Sequence, residues 1–150
     1  MDLFLNFDGR IARGKWWLGV IVLVVIGIVL SAVVLMIFGA GMVGQVISLL
    51  VTLVLLYPII ALATKRLHDR GHDAMPRVAI FFGPGLLLTV MQTFGIGFRT
   101  EVVAGVAMQT PGLLGSIVGF VALVVGIWAL IELGILRGND GPNRFGPPPA

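Results

Sequence analysis

Cysteine is absent from the 150 residues, tyrosine occurs once and histidine twice. Without a thiol there is no disulfide, no thiolate metal site, no cysteine nucleophile and no S-acylated anchor. Charge is the second scarcity. Only 11% of residues are Asp, Glu, Lys or Arg, against roughly 25% in an ordinary soluble domain. The charges that exist are also absent from long stretches. None occurs in the 49 residues between Lys15 and Lys65, the 21 between Arg77 and Arg99, or the 30 between Glu101 and Glu132. No Asp, Lys, Arg or His falls in the middle of these runs, so the groups that proton relays, ion pathways and voltage sensors require are missing.

What fills these gaps is apolar: 58% of the chain is hydrophobic. A helical crossing needs about 20 residues, so the first run holds two crossings and a turn at Gly39–Gln45. The runs predict an all-α membrane protein, a single domain of four transmembrane helices in a small bundle. The spans are about 18–38, 46–64, 78–98 and 113–136, with residues 102–110 as a short interfacial segment beyond the third. The first apolar run, about 21 residues, is longer than the ~7–15 of a signal-peptide core, and no small-residue cleavage site follows it. A cleaved leader is therefore not expected.

Orientation follows from the basic residues. Nine of the ten, Arg10, Arg13, Lys15, Lys65, Arg66, Arg70, Arg77, Arg137 and Arg144, fall on one side of a four-span chain, and Arg99 alone on the other. That asymmetry predicts a membrane protein with both termini cytoplasmic. Trp16 and Trp17 are expected at the inner headgroup level. Pro58, and Gly83-Pro84-Gly85, are candidate bends. Span four carries Gly115, Gly119, Ala122, Gly126 and Ala129 at spacings of 4, 3, 4 and 3. This small face suits close helix packing within the bundle or, as a sharper reading, a homo-oligomer seam.

Three polar stretches then share one membrane face. They are residues 7–17, 65–73 and 138–147, and their net charges nearly cancel. Arg10, Arg13, Arg66 and Arg70 present planar forks suited to carboxylate or phosphate, while Asp69, Asp73, Asp140 and Glu132 are internal partners. Asp69 is expected to accept from Arg66, Arg10 or Arg13, Glu132 to pair with a cytoplasmic Arg, and Arg144 to meet an acid. The turn chemistry of Asn139-Asp140-Gly141-Pro142 should reverse the chain and leave Phe145 to anchor among headgroups. The expectation is a cytoplasmic cap built from Arg10, Arg13, Arg66, Asp69, Arg70, Asn143 and Arg144, clamped by ion pairs and in possible contact with lipid headgroups. His68 and His72 share a helical spacing, but Gly71 interrupts the helix and no further His or Cys completes a metal site. No metal, cofactor, catalytic residue or nucleic-acid partner is expected.

The same stretches resemble the bacterial inner-membrane family known as domain of unknown function 805. The resemblance rests on Phe7, Gly9, Arg10, Arg13 and Trp17 before the first span. It continues with Arg66, Leu67, His68, Asp69 and Gly71 after the second, and Gly141, Asn143, Arg144, Phe145, Gly146 and Pro149 after the last. Pro148 departs from the pattern, which often has an acid before the last proline. The resemblance implies a membrane address and a fold, and no activity. The functional expectation is a non-enzymatic structural or interaction protein whose cap contacts a partner or membrane lipids. Its rivals are a small transporter or channel subunit, for which only Gln45, Thr52, Tyr57, Gln92 and Thr93 offer polarity within the spans, and an enzyme acting on phospholipid headgroups.

Overall fold

The computed structural model describes residues 3–103 and 106–149. Helix α1 covers Arg13–Phe38 and α2 covers Met42–Asp69. Helix α3 covers Arg77–Thr93; strands β1, Phe98–Val103, and β2, Val106–Pro111, follow, and then α4, Leu113–Leu130. Helix α4 runs without a break into a π-helical turn, Ile131–Ile135. At ~1.5 Å per residue, the 26 residues of α1 and the 28 of α2 reach about 39 and 42 Å. The 23 residues from Leu113 to Ile135 reach about 34 Å on the same rise. All three exceed the ~30 Å hydrocarbon core of a bilayer, and they are the three helices among the described residues long and apolar enough to cross it. Helix α3, with 17 residues, is apolar but shorter, about 26 Å.

The third segment is thus shorter than the run of uncharged residues suggests. It was expected to continue to Phe98 and stops at Thr93. Gly95 and Gly97 explain the stop, because both adopt left-handed backbone angles, φ +68° and +74°, which turn the chain out of a right-handed helix. The chain beyond forms a β-hairpin, paired from Phe98 with Pro111 to Val103 with Val106. Of the expected interfacial segment 102–110, residues 102–103 belong to β1 and 106–110 to β2, and residues 104–105 lie outside the described residues. The first two spans extend outward, α1 beginning at Arg13 rather than near residue 18 and α2 running from Met42 through Lys65 and Arg66 to Asp69, while α1 ends at Phe38 and α4 begins at Leu113 as expected. Helix α2 is continuous through Pro58, and α3 through Pro84.

Helices α1 and α2 pack together, as do α3 and α4; α2 joins the two pairs, and the π-turn returns to α1 and α2. Large apolar side chains such as Ile28 on α1 and Phe120 and Leu123 on α4 face outward. Helices this apolar on every face suit a lipid surround. The true core is displaced to one end of the bundle, around the last turns of α2. There Leu62, Ala63 and Leu67 are buried with Ile11, Trp16, Phe81 and Leu133. Trp16 is therefore a core residue, not a headgroup anchor. Its ring meets Trp17 edge-on at 5.0 Å and lies against Gly134, where a Cβ would come within 2.8 Å of it.

The small face of α4 is used unevenly. A Cβ at Gly115 would lie 2.7 Å from the Gly97 carbonyl oxygen, so this glycine admits the turn after α3. At Gly119 the nearest neighbour is Leu88 at 4.0 Å, and at Gly126 nothing lies within 4 Å.

Candidate functional site

The densest chemistry lies at the core end of the bundle, where three segments distant in sequence converge on Asp69. Its carboxylate is held from two sides. Arg66, one helical turn earlier on α2, donates from Nη1 to Oδ2. Arg10 approaches from the N-terminal segment, with Nε 3.1 Å and Nη2 3.0 Å from Oδ1. The three side chains are buried: exposure is 0% for Arg66, 1% for Arg10 and 5% for Asp69. Burying charges at this depth is tolerable only when each is paired and its remaining donors are satisfied, and here they are. The other Arg10 donors reach the carbonyl oxygens of Asn139, Gly141 and Gly146 at 2.6, 2.8 and 3.1 Å. One guanidinium thereby ties the C-terminal tail to α2.

The tail returns the contacts. The Asn139 amide donates to the Asp69 carbonyl at 2.8 Å, and the Asn143 side chain donates to the His68 carbonyl at 2.9 Å. The Phe145 amide closes a local turn on the Asn143 side-chain oxygen at 2.9 Å. The Phe145 ring then stacks on the His68 imidazole, 3.8 Å between centroids and 6° from parallel. That ring is consequently part of the clasp rather than an anchor among headgroups. Gly138 packs so closely on Asp69 that a Cβ there would overlap the carboxylate.

A second arrangement caps α4. The last carbonyls of a helix lack internal partners and carry the negative end of its dipole. Here five consecutive carbonyls each accept a side-chain donor. Arg70 Nη1 reaches Glu132 at 3.1 Å and Arg66 Nε reaches Leu133 at 2.8 Å. Trp17 Nε1 reaches Gly134 at 3.2 Å, Arg13 Nη1 reaches Ile135 at 2.9 Å, and Arg66 Nη2 reaches Leu136. The π-turn widens the helix over this stretch, with the Leu136 amide bonded back to the Ile131 carbonyl at 3.0 Å. Arg66 thus joins the carboxylate of α2 to the end of α4.

Outside this buried centre the pairs are looser. Arg70 meets Glu132 at 3.2 Å, and Arg144 meets Asp73 at 2.8 Å on the surface. His72 Nε2 lies 3.7 Å from Glu132. Burial, and then the Arg77 guanidinium, push the His72 imidazole below its ordinary pKa, against the opposing pull of Glu132.

All seven residues expected at the cap therefore sit at one end of the fold, with different partners. Arg10, Arg66 and Asp69 form the buried centre. Arg13 turns to a backbone carbonyl instead of Asp69, and Arg70 serves α4. Asn143 and Arg144 hold the tail. Gly138, Asn139 and Trp17 lie in the polar stretches, but sequence reasoning did not give them these contacts, whose partners are mostly backbone atoms without a residue signature. It also missed the cleft beside the centre, of about 340 Å³, lined by Arg13, Arg66, Asp69, Arg137 and Asn139. Among the described residues no three His, Cys, Asp or Glu side chains gather as a metal site.

The three stretches that meet in this clasp all lie within residues 4–147, which match a known family described as "Protein of unknown function (DUF805)". The chain belongs to the DUF805 family. Among relatives, the Inner membrane protein YhaI of Escherichia coli K12 is 28% identical over 102 residues, 68% of this chain and 80% of that protein. The YhaI of E. coli O157:H7 aligns to the same extent. No solved structure matches the chain. This DUF805 chain is accordingly a membrane protein of a family of unknown function.

Proposed function

We propose that this DUF805 protein is a single four-span domain of the bacterial inner membrane, with both termini cytoplasmic. In this reading its clasp sits at the inner headgroup level and holds the phosphate of an anionic phospholipid. The nine-to-one distribution of basic residues supports the orientation. Helix α3 counts as a span because a crossing shorter than the hydrocarbon core is accommodated by local thinning of the bilayer.

The observation that carries the ligand is the cleft between the ends of α1 and α4. Arg10 and Arg66 are spent on Asp69 and on backbone carbonyls. Arg137 in the cleft wall is exposed and makes no ion pair among the described residues, and Arg13 uses one Nη on Ile135. Two guanidinium groups at a headgroup-level cleft suit a phosphate. The protein acts in this reading as a lipid-contacting interaction protein. For a phospholipid-processing enzyme Asp69 has both oxygens held by guanidinium groups, which leaves Asp140 as the other carboxylate in the cleft wall.

Thermal unfolding in nanodiscs tests the proposal. Adding phosphatidylglycerol to phosphatidylcholine should raise the Tm of the wild type and of Arg99→Gln, at the opposite end. The gain should vanish in Arg13→Gln/Arg137→Gln. An equal gain in that double variant would refute the phosphate site. Reporter fusions after Ala150 and near Gly41 should report opposite sides; a periplasmic C-terminus would overturn the orientation.

A further inference from the structure

A cavity of about 500 Å³ opens at the end of the bundle opposite the clasp, between α2, α3 and the hairpin. Gln45, Ser48, Thr52, Thr89, Gln92 and Gln109 line it, and none of its described lining residues is charged. Thr52 and Thr89 also form part of the wall of an apolar cavity of about 420 Å³. That second cavity continues between the helices towards the clasp, past Phe81 and Gly126 to Trp16 and Leu133. The two adjoin at Thr52 and Thr89, one polar at the far end and one apolar within.

The hydrogen-bond inventory of the polar half selects its ligand. The Thr52 hydroxyl donates to the Ser48 carbonyl at 2.9 Å, Thr89 to Gly85 at 3.0 Å, and Thr93 to Thr89 at 2.9 Å. With their protons committed to the helix backbone, these hydroxyls present only lone pairs to the cavity. Gln109 Oε1 is buried and accepts from no donor among the described residues, an arrangement that costs free energy until a donor arrives. Ser48 and the amide groups of Gln45, Gln92 and Gln109 add donors to these acceptors, and no cation stands among the described residues of the wall. An anionic head would find no counter-charge there, and a head with only carbonyl or ester oxygens would bring no donor to Gln109 Oε1 or to the threonine lone pairs.

We infer that this space binds an uncharged amphiphile whose head carries hydroxyl donors and whose apolar chain runs between the helices towards Trp16. The head satisfies Gln109 and the threonine lone pairs. The chain occupies the apolar half, where the small side of Gly126 leaves room. This site stands at the other end of the molecule from the phosphate cleft and does not depend on it.

Trp16 supplies the reporter. It is 6% exposed and shielded from bulk lipid, while Trp17 and Trp128 are exposed. In Trp17→Phe/Trp128→Phe, reconstituted in phosphatidylcholine nanodiscs, the probes are a chain-brominated monoacylglycerol and the methyl ester of the same brominated chain. The monoacylglycerol should quench Trp16 saturably, and the ester only in proportion to its mole fraction. Gly126→Leu, which fills the apolar half, should abolish the saturable component. Gln109→Leu should raise the half-saturating mole fraction about three- to tenfold, the range of one net hydrogen bond. Should the double tryptophan variant not fold, thermal shifts of the wild-type chain with monooleoylglycerol against methyl oleate give the same comparison. Identical linear quenching by both probes, equal thermal shifts, or saturable binding that survives Gly126→Leu would each overturn the inference.

Discussion

Replacing Asp69 by alanine removes the carboxylate that touches both Arg10 and Arg66 and strands two buried guanidinium groups. Breaking a buried ion pair by deleting one partner costs about 3–5 kcal/mol, because the surviving charge is left uncompensated. Two features of this site set the expected value within that range. Arg66 keeps the carbonyls of Leu133 and Leu136, and Arg10 keeps those of Asn139, Gly141 and Gly146, which moderates the loss. Against this, two charges are stranded rather than one. The balance is about 4 kcal/mol. Asp73→Ala is the matched control. Its pair with Arg144 is 63% exposed at the carboxylate and 58% at the guanidinium, so it contributes about 0–1 kcal/mol. Unfolding in mixed micelles, titrated with a denaturing detergent, measures both. Asp69→Asn should fall between them, since it keeps the shape and loses the charge. Equal and small losses in Asp69→Ala and Asp73→Ala would refute the reasoning, because a buried carboxylate with two cationic partners cannot behave like a surface one.

Other consequences follow from single contacts. Gly115→Leu should destabilise strongly, because its side chain meets the Gly97 backbone, while Gly119→Leu, with Leu88 at 4.0 Å, should be mild; thermal melts rank the two, and the reverse order would be wrong for this packing. Phe145→Ala removes the stack on His68 and should cost about 0.5–1.5 kcal/mol beyond lost burial, seen as faster proteolysis of the tail. The lowered pKa of His72 sets a pH dependence. As pH falls below about 6.5 the unfolded imidazole takes up its proton first, so stability present at neutral pH declines towards the lower folded pKa. His72→Gln should flatten the stability curve over that window, and an unchanged slope would remove His72 as its source.

The sequence made the polar end of the fold more legible than its other end. Asp69 with Arg66 or Arg10, Glu132 with a nearby Arg, and Arg144 with an acid could all be read in advance, because opposite charges confined to one membrane face have few other partners. The geometry that makes the site was less accessible. The five capped carbonyls of α4 and the notch at Gly138 involve backbone atoms, which every residue carries alike. The π-turn that spreads those carbonyls leaves no spacing signal, since its donors come from α1 and α2. Trp16 and Phe145 were misplaced for one reason: an aromatic next to basic residues reads as an interfacial anchor, and only tertiary structure reveals Gly134 and His68 as their contacts. The hairpin is hidden because Arg99 and Glu101 stand at the edges of the uncharged runs and read as the ends of spans. The stop at Thr93 is carried by Gly95 and Gly97, uncharged residues that leave no mark in the charge pattern.

The central claim is that Arg10 and Asp69 lock the C-terminal tail onto the end of α2. Hydrogen–deuterium exchange over residues 137–149 tests it most directly. The amides of Asn139, Asn143, Phe145 and Gly146 all donate to acceptors in the folded chain. They should exchange at least about a hundredfold more slowly than an open chain, an opening cost of about 3 kcal/mol. Arg10→Gln should release that protection while the amides of α1 stay protected. Open-chain exchange rates throughout the wild-type tail would contradict the clasp.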